Sequence, residues 1–320
     1  MTTKNIWQEL PKPIFALAPM ENVTDTVFRQ IVISCGRPSI MFTEFTNIQG
    51  MLGPGREQVI HRLQYTQDEK PLIAQIWGIT PENYYEAAQY ITEQGFDGID
   101  INMGCPVRKI VNKGCCSALI KNMPLAKEII AATKEGSNGL PVSVKTRIGF
   151  NKIVTDEWIP FLLEQHIDAL SVHGRTTKEQ SSVPNHWEEI AKIHKYRKEI
   201  HPETMILGNG DIASYQDGLD KIKQYNLDGV MIGRGIFHNP WIFNRQINLD
   251  EKTTKDKLQL FDKHIQLYKE TWTDEKYFAM LKKFIKTYVT DFPGSADVRK
   301  QLFETTTIEE LHSVVQSLLE

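Results

Sequence analysis

Cys105 is the residue in this chain whose type and setting best suit chemistry. It ends the stretch Gly98-Ile99-Asp100-Ile101-Asn102-Met103-Gly104-Cys105-Pro106, a short apolar strand that stops at Gly-Cys-Pro. Pro106 has no backbone donor, so ladder pairing ends there and the thiol is delivered at the strand's C-terminal end. Arg108, Lys109 and Lys113 follow closely. A thiol beside cations suits an acid or a nucleophile acting on an anionic substrate. A lone cysteine is more often an inert part of a core, so its meaning depends on the elements that surround it.

Those elements repeat. Apolar or β-branched runs predict strands over residues 14–20, 40–45, 72–78, 98–102, 142–148, 169–175, 205–211 and 229–235. Several run apolar without alternation, as parallel strands covered by helices do. Amphipathic segments lie between them. Thr80-Pro81-Glu82 opens a helix that stops at Gly95, and further helices are predicted over 124–133 and 214–225. Eight strand-helix units in about 240 residues predict an α/β fold, a (β/α)8 TIM barrel. A doubly wound open sheet is the rival architecture, but no G-x-G-x-x-G follows the first strand.

In such a barrel chemistry sits at the C-terminal ends of the strands, and phosphate is often held after strands seven and eight. The polar residues here fall at those ends. Pro19, Met20 and Glu21 follow the first strand and Gln75 lies in the third. Asn102 and Cys105 end the fourth, Lys145 and Arg147 the fifth, and His173-Gly174-Arg175 the sixth. The seventh closes in Gly208-Asn209-Gly210-Asp211 and the eighth in Ile232-Gly233-Arg234-Gly235. Glycine turns at these two positions suit a phosphate-bearing ligand, with Arg234 to neutralise it.

After Phe243 only helical periodicity remains. Leu258, Phe261, Ile265 and Tyr268 mark one apolar face, and Phe278, Leu281, Ile285 and Tyr288 another. Thr307 to Glu310 reads as a capping box opening a last helix. The expected division is a barrel over residues 1–247 and a small all-helical unit over 248–320, with 248–254 as the joint. Lys282, Lys283 and Lys286, with Lys276 nearby, concentrate positive charge, either as a solvated helix face or as a platform for a polyanion. The polar segment 178–187 is a plain surface loop, a lid or an RNA-contact loop.

Composition bounds the function. With 41% hydrophobic and 24% charged residues a sizeable core is available, and a net charge of -3 confines any nucleic-acid contact to a local patch. Four cysteines suit a reducing cytosol, and none pairs with histidine at a zinc-ligand spacing, so no metal is expected. No apolar run is long enough to span a bilayer. A cytoplasmic protein is expected.

Asn102-Met103-Gly104-Cys105-Pro106 resembles the active-site signature of the tRNA-dihydrouridine synthases, bacterial type. The resemblance extends, in the family's order, through Ala18 to Asp25, Lys145-Thr146-Arg147-Ile148-Gly149, His173-Gly174-Arg175-Thr176, Gly208 to Ile212 and Gly233-Arg234-Gly235. It implies an FMN-dependent barrel oxidoreductase with a helical tRNA-binding domain, reducing the C5–C6 bond of particular uridines with electrons from NADPH; a monomer is expected. It implies FMN contacts from Pro19, Met20, Gln75, Lys145, His173, Asn209, Gly210, Asp211, Gly233 and Arg234. Asn102 and Arg147 would hold the uracil edge, and Cys105 would be the general acid, with a reference pKa of about 8.5 keeping its thiol mostly protonated near neutrality. Two positions depart from the family pattern: Cys115 and Cys116 replace small residues, often glycine, and Asn22 stands where glycine is common. Alternatives are a flavin barrel acting on a free pyrimidine or other small enone, a catalytically idle RNA-binding protein, and a Schiff-base aldolase using Lys145.

Overall fold

Eight parallel strands close into a barrel in the computed structural model, which describes residues 5–247, 249–272 and 278–320. They are β1 Ile14–Leu17, β2 Met41–Phe42, β3 Leu72–Trp77, β4 Gly98–Met103, β5 Val142–Arg147, β6 Ala169–His173, β7 Met205–Asn209 and β8 Gly229–Ile232. All eight expected strands are present. The second is the shortest, and a separate pair, Thr46–Asn47, joins β3 beside it. Each strand pairs with its sequence neighbours, and β1 pairs with β8. The ring closes between β1 and β2, where Leu17 N donates to Ile40 O at 3.1 Å and Ser39 N to Phe15 O at 2.8 Å. Gly229 permits the β1–β8 contact, since a Cβ there would lie 2.2 Å from Ile14 O. Closure rules out the open doubly wound sheet.

Strand side chains alternate between the helix-facing and interior surfaces. Ala74, Ile76, Ile99, Ile101, Val144, Leu170 and Val172 belong to the large core shared with the helices. The lower interior is a second apolar cluster containing Ile14, Ala16, Phe42, Ile73, Met205, Leu207 and Met231. Trp7, on the short helix Ile6–Glu9, joins that cluster with its ring centroid 6.2 Å from Phe42. Its neighbours Asn5 and Gln8 bond to Asp168 and Glu203, residues just ahead of β6 and β7, so this helix plugs the N-terminal end of the barrel. The opposite end is left to polar side chains.

The surrounding helices agree with the periodicity. Pro81–Glu93 begins with Pro at its first turn, although the Thr80 hydroxyl makes no cap bond. Met123–Gly136 is longer at both ends than expected, and Tyr215–Tyr225 is capped by Ser214, whose hydroxyl accepts from Asp217 N at 3.0 Å. The helix Thr26–Cys35 carries an ion pair that the sequence does not announce. Arg29 Nε donates to Glu69 Oε2 at 2.5 Å, both side chains being fully buried. The guanidinium also donates to Thr24 O at 2.6 Å and Gln64 O at 2.7 Å.

Beyond the barrel, helix Thr254–Trp272 buries Leu258, Phe261, Ile265 and Tyr268 as expected. The next segment is not one α-helix. A 3-10 run, Phe278–Phe284, precedes a single α-turn, Ile285–Tyr288. Leu281 and Phe284, three apart, are both buried, and three residues per turn keeps them on one side. Thr307 caps the last helix, Ile308–Ser317, by accepting from Glu310 N, but the Glu310 carboxylate returns to Thr306 N at 2.6 Å instead of completing the box on Thr307. The tail sits on the barrel through aromatic contacts: Phe28 lies 4.7 Å from Phe284 and 5.8 Å from His264 between centroids. Asn248 in the expected joint, and Lys276, lie outside the described residues. Among the described residues no helix is long and apolar enough to cross a membrane.

Replacing Arg29 with Met strands the buried Glu69 carboxylate without its cation. The expected loss is about 3–5 kcal/mol of stability, read from urea denaturation, and a loss under about 1 kcal/mol would show that the pair is dispensable.

Candidate active site

The polar upper interior follows from the alternation. Asp100 and Asn102 are two apart on β4 and therefore share a face. Ser143, Lys145 and Arg147 do the same on β5, and Lys145 lies opposite Asn102 while Arg147 lies opposite His173 on β6. His173 in turn lies opposite Asn209 on β7. Lys145 Nζ donates to Asn209 Oδ1 at 3.3 Å, and Asn209 Nδ2 donates to Met231 O at 2.8 Å.

Above them opens a cavity of about 510 Å³ lined by Pro19, Met20, Lys145, His173, Asn209, Gly210, Asp211, Gly233 and Arg234. These are all of the expected FMN contacts except Gln75, which sits lower, in the fully buried interior. The motif Ala18 to Asp25 is explained by its own bonds. Thr24 Oγ1 accepts from Met20 N at 2.9 Å, and Asp25 caps helix Thr26–Cys35 by accepting from Phe28 N at 2.9 Å. Asn22, at φ 55°, takes the left-handed conformation that glycine adopts freely and asparagine tolerates, so the turn survives the substitution.

Charge at the cavity is mostly positive. Burial, reinforced by Arg147, brings Lys145 down to about 8, and burial brings Arg147 down to about 10. Arg175, absent from the expected contacts, is almost fully buried and pairs with Asp211, which Arg234 also meets at 3.1 Å. Arg175 also reaches His173 Nε2 at 3.3 Å. Burial first, then the charges of Arg147, Lys145, Arg175 and Arg234, hold His173 far below the ordinary imidazole range, so it is neutral. A guanidinium only donates, so Nε2 is the acceptor and the proton sits on Nδ1.

Cys105 stands at the same end of the barrel, in the loop after β4. Asn102 Oδ1 accepts from Gly104 N at 3.0 Å and Cys105 N at 2.9 Å, while Asn102 Nδ2 donates to Gln75 Oε1 at 3.0 Å. Arg147 Nε donates to Gly104 O at 2.7 Å, and its Nη1 to Thr176 O and Gln180 O at 3.1 and 3.0 Å. Arg175 Nε donates to Val183 O at 2.6 Å. Arg147 thus stitches segment 178–187 to the Cys105 loop, while Arg175 ties the same segment to Asp211 and His173.

Cys105, Cys115 and Cys116 cluster with Phe45, Trp77, Ile79 and Ile110 around them. Cys116 has φ 54°, the left-handed backbone that glycine adopts freely and a cysteine seldom does. A hydrogen bond with the Cys116 thiol, then the Val107 backbone and the Arg147 charge, outweigh burial and bring Cys105 down to about 7. The thiol therefore gives up its proton at a lower pH than its reference value suggests. Cys116 is pushed up by burial and by that same bond. Sequence reasoning missed the roles of Asp100, Ser143 and Arg175. A polar residue two before Asn102, inside an apolar strand, was the available signal for Asp100.

This geometry defines a class: a closed (β/α)8 barrel with a cationic, glycine-walled cavity and a cysteine-bearing loop at its C-terminal mouth. Residues 16–320 match the family described as "Dihydrouridine synthase (Dus)", and the chain belongs to that family. It is 45% identical over 315 residues to a "Probable tRNA-dihydrouridine synthase" of Staphylococcus aureus (strain COL), covering 98% of this chain and 95% of that protein. It is 44% identical over 316 residues to "Probable tRNA-dihydrouridine synthase 2" of Bacillus subtilis (strain 168), covering 98% and 96%. Among solved structures, histamine dehydrogenase from Rhizobium sp. 4-9 superposes with a TM-score of 0.54 at 12% identity, over 82% of this chain and 51% of that one, a likeness of fold alone. Family membership makes the chain a flavin-dependent oxidoreductase, and the aldolase and idle RNA-binding alternatives are set aside.

The residues fit a phosphate-bearing flavin on grounds of their own. Gly210, at φ +131°, bends its backbone along the cavity wall, where a Cβ would lie 2.2 Å from Asn185 Oδ1. Both polar atoms of the Asn185 amide are buried without a protein partner beside that turn. A Cβ on Gly233 would meet only Ala18 and Met20, at 3.7 and 3.8 Å, leaving open space in front of the backbone.

Removing the Cys116 donor takes away the largest influence lowering the Cys105 pKa. In Cys116→Ala the midpoint of Cys105 alkylation by iodoacetamide should move up from about 7 toward the ordinary thiol range. An unmoved midpoint would assign the shift to Val107 and Arg147.

Proposed function

We propose that the chain reduces the C5–C6 double bond of specific uridines in tRNA, with FMN as cofactor and NADPH as electron donor. The observation that carries this reading is the placement of the Cys105 loop and the cationic cavity at one mouth of the barrel, joined by Asn102 and Arg147. The likeness to probable tRNA-dihydrouridine synthases supports tRNA as substrate.

FMN would be held by Pro19, Met20, Lys145, His173, Asn209, Gly210, Asp211, Gly233 and Arg234, with Gln75 below. The chemistry that this cofactor supplies when bound and reduced is hydride delivery to C6 of uracil. Cys105 donates its proton to C5 from the other face, and the resulting thiolate regains a proton from solvent. Arg147 places its charge beside the developing oxyanion at the uracil carbonyl. Asn102 spends its oxygen and one amide N–H on the protein, and its second N–H remains for the base edge. The neutral His173, with its proton on Nδ1, offers a donor without adding charge. A uridine reaching this mouth must leave its stack, which costs a few kcal/mol and least in an unpaired loop, so tRNA loops are the fitting substrate.

Residues 248–320 form the proposed tRNA-binding unit. Lys282 donates to Phe303 O at 2.8 Å and Thr305 O at 2.6 Å, and the side chains of Lys283 and Lys286 are solvent-exposed. Those two are the residues assigned to phosphates. The cysteine content fits a cytoplasmic enzyme.

Cys105→Ala should keep flavin colour and tRNA binding and lose about 10²–10⁴ in turnover, measured as dihydrouridine formed. Dihydrouridine formation at the normal rate would remove Cys105 as the acid. The acid must be protonated, so kcat/KM should fall as pH rises through about 7, and a profile rising across that range would contradict the assignment. Lys283→Glu should weaken tRNA binding and reduce the salt slope by about one unit. An unchanged slope would return this lysine to the solvated surface.

A further inference from the structure

Beneath the Cys105 loop, four side chains form one continuous line of hydrogen bonds. Ser143 Oγ donates to Asp100 Oδ1 at 2.6 Å, and Gln75 Nε2 donates to Asp100 Oδ2 at 2.6 Å. Gln75 Oε1 accepts from Asn102 Nδ2 at 3.0 Å, and Asn102 Oδ1 accepts from the backbone of Gly104 and Cys105. Asp100 and Gln75 are fully buried, and Ser143 and Asn102 nearly so.

An amide can turn end for end, whereas an ionised carboxylate can only accept. Asp100 therefore dictates that Gln75 aims its NH2 group down and its oxygen up. An upward oxygen requires a donor from Asn102, which leaves the Asn102 oxygen for the two loop N–H groups. Reversing either amide sets acceptor against acceptor or donor against donor where no water can compensate. We propose that Asp100 is a positioning residue for the reaction, setting through Gln75 and Asn102 the amide polarity that holds the Cys105 backbone at the barrel mouth. The inference rests on Cys105 being the acid. Burial raises Asp100 to about 6, against the bonds from Ser143 and Gln75 and the charge of Lys145, so it is ionised in the neutral range where the polarity argument applies.

The decisive experiment exchanges the carboxylate and the amide. In Gln75→Glu two buried carboxyl groups face each other and share one proton at neutral pH, the acid form standing in for the amide. At a pH high enough to ionise both, the rate at which tRNA reoxidises the reduced enzyme should fall by about tenfold or more relative to wild type at the same pH. In the double variant D100N/Q75E the amide at 100 donates to the carboxylate at 75 and still accepts from Ser143. The carboxylate accepts from Asn102, and every bond of the line returns. At that pH position 75 carries a carboxylate in both variants, so its direct effect on the cofactor cancels between them. The double variant should therefore react about tenfold faster than Q75E. Iodoacetamide labelling of Cys105, followed by peptide mass spectrometry, should be altered in Q75E and return to within about twofold of wild type in the double variant.

A double variant no faster than Q75E at the pH where both carboxyls of Q75E are ionised, at equal flavin content and melting temperature, overturns the proposal. Should Q75E fail to fold, recovery of a folded protein by adding D100N supports it, and Asp100→Leu reads the same point from the other side. Unchanged turnover and unchanged Cys105 labelling in D100L would overturn it. The labelling arm does not depend on the reaction. A wild-type protein that leaves tRNA uridines intact ends the proposed function, while labelling still reports whether Asp100 places the thiol.

Discussion

A polar side chain turned into a closed barrel has no bulk water to fall back on, so it must find its partners among its neighbours. The upper interior of this barrel satisfies that demand across strands. Asp100 on β4 binds Gln75 on β3 and Ser143 on β5, and Lys145 on β5 reaches Asn209 on β7. The N-terminal half of the barrel avoids the demand altogether, being filled by aliphatic side chains and stopped by Trp7. The contrast between an apolar floor and a paired polar mouth is what sets one end of the barrel apart from the other.

The same mouth concentrates cations. Lys145, Arg147, Arg175 and Arg234 converge there, and Asp211, bound by two of the arginines, is the carboxylate facing them across the cavity. Their combined field keeps His173 neutral, favours an anionic ligand and contributes to the lowered pKa of Cys105 through Arg147. Arg147 has a second use, because its bonds to Gly104, Thr176 and Gln180 tie two loops into one wall. Binding charge and mechanical support are thus carried by the same side chain.

The helical tail extends this rigidity. Phe28, on the helix capped by Asp25, meets Phe284 and His264 of the tail, and His264 Nδ1 lies 3.0 Å from the Tyr288 hydroxyl. The residues that shape the first loop of the cavity, Met20 to Asp25, therefore lead directly into the helix on which the tail rests. An RNA held by the tail would be held at a defined angle to the mouth.

Much of this was legible in the residues alone. Runs such as Leu72 to Trp77 and Val142 to Arg147 declare their strands because covered parallel strands must be apolar, and a barrel places strand-end residues such as Cys105, Gly210 and Arg234 at one mouth. Helical periodicity marked Leu258, Phe261, Ile265 and Tyr268 for the same kind of reason: local burial has a period that a linear sequence can display. Pairing between distant residues has no such period. That Asp100 meets Gln75, that Cys116 touches Cys105, that Arg175 turns toward His173 and Asp211, and that Lys282 caps carbonyls near residue 304 depended on ring closure and chain crossing. Composition and spacing determined which groups this protein owns and at which end they emerge. Only the tertiary structure decided which of them share a proton, a charge or a hydrogen bond, because those interactions act over a few ångströms of space and are blind to distance along the chain.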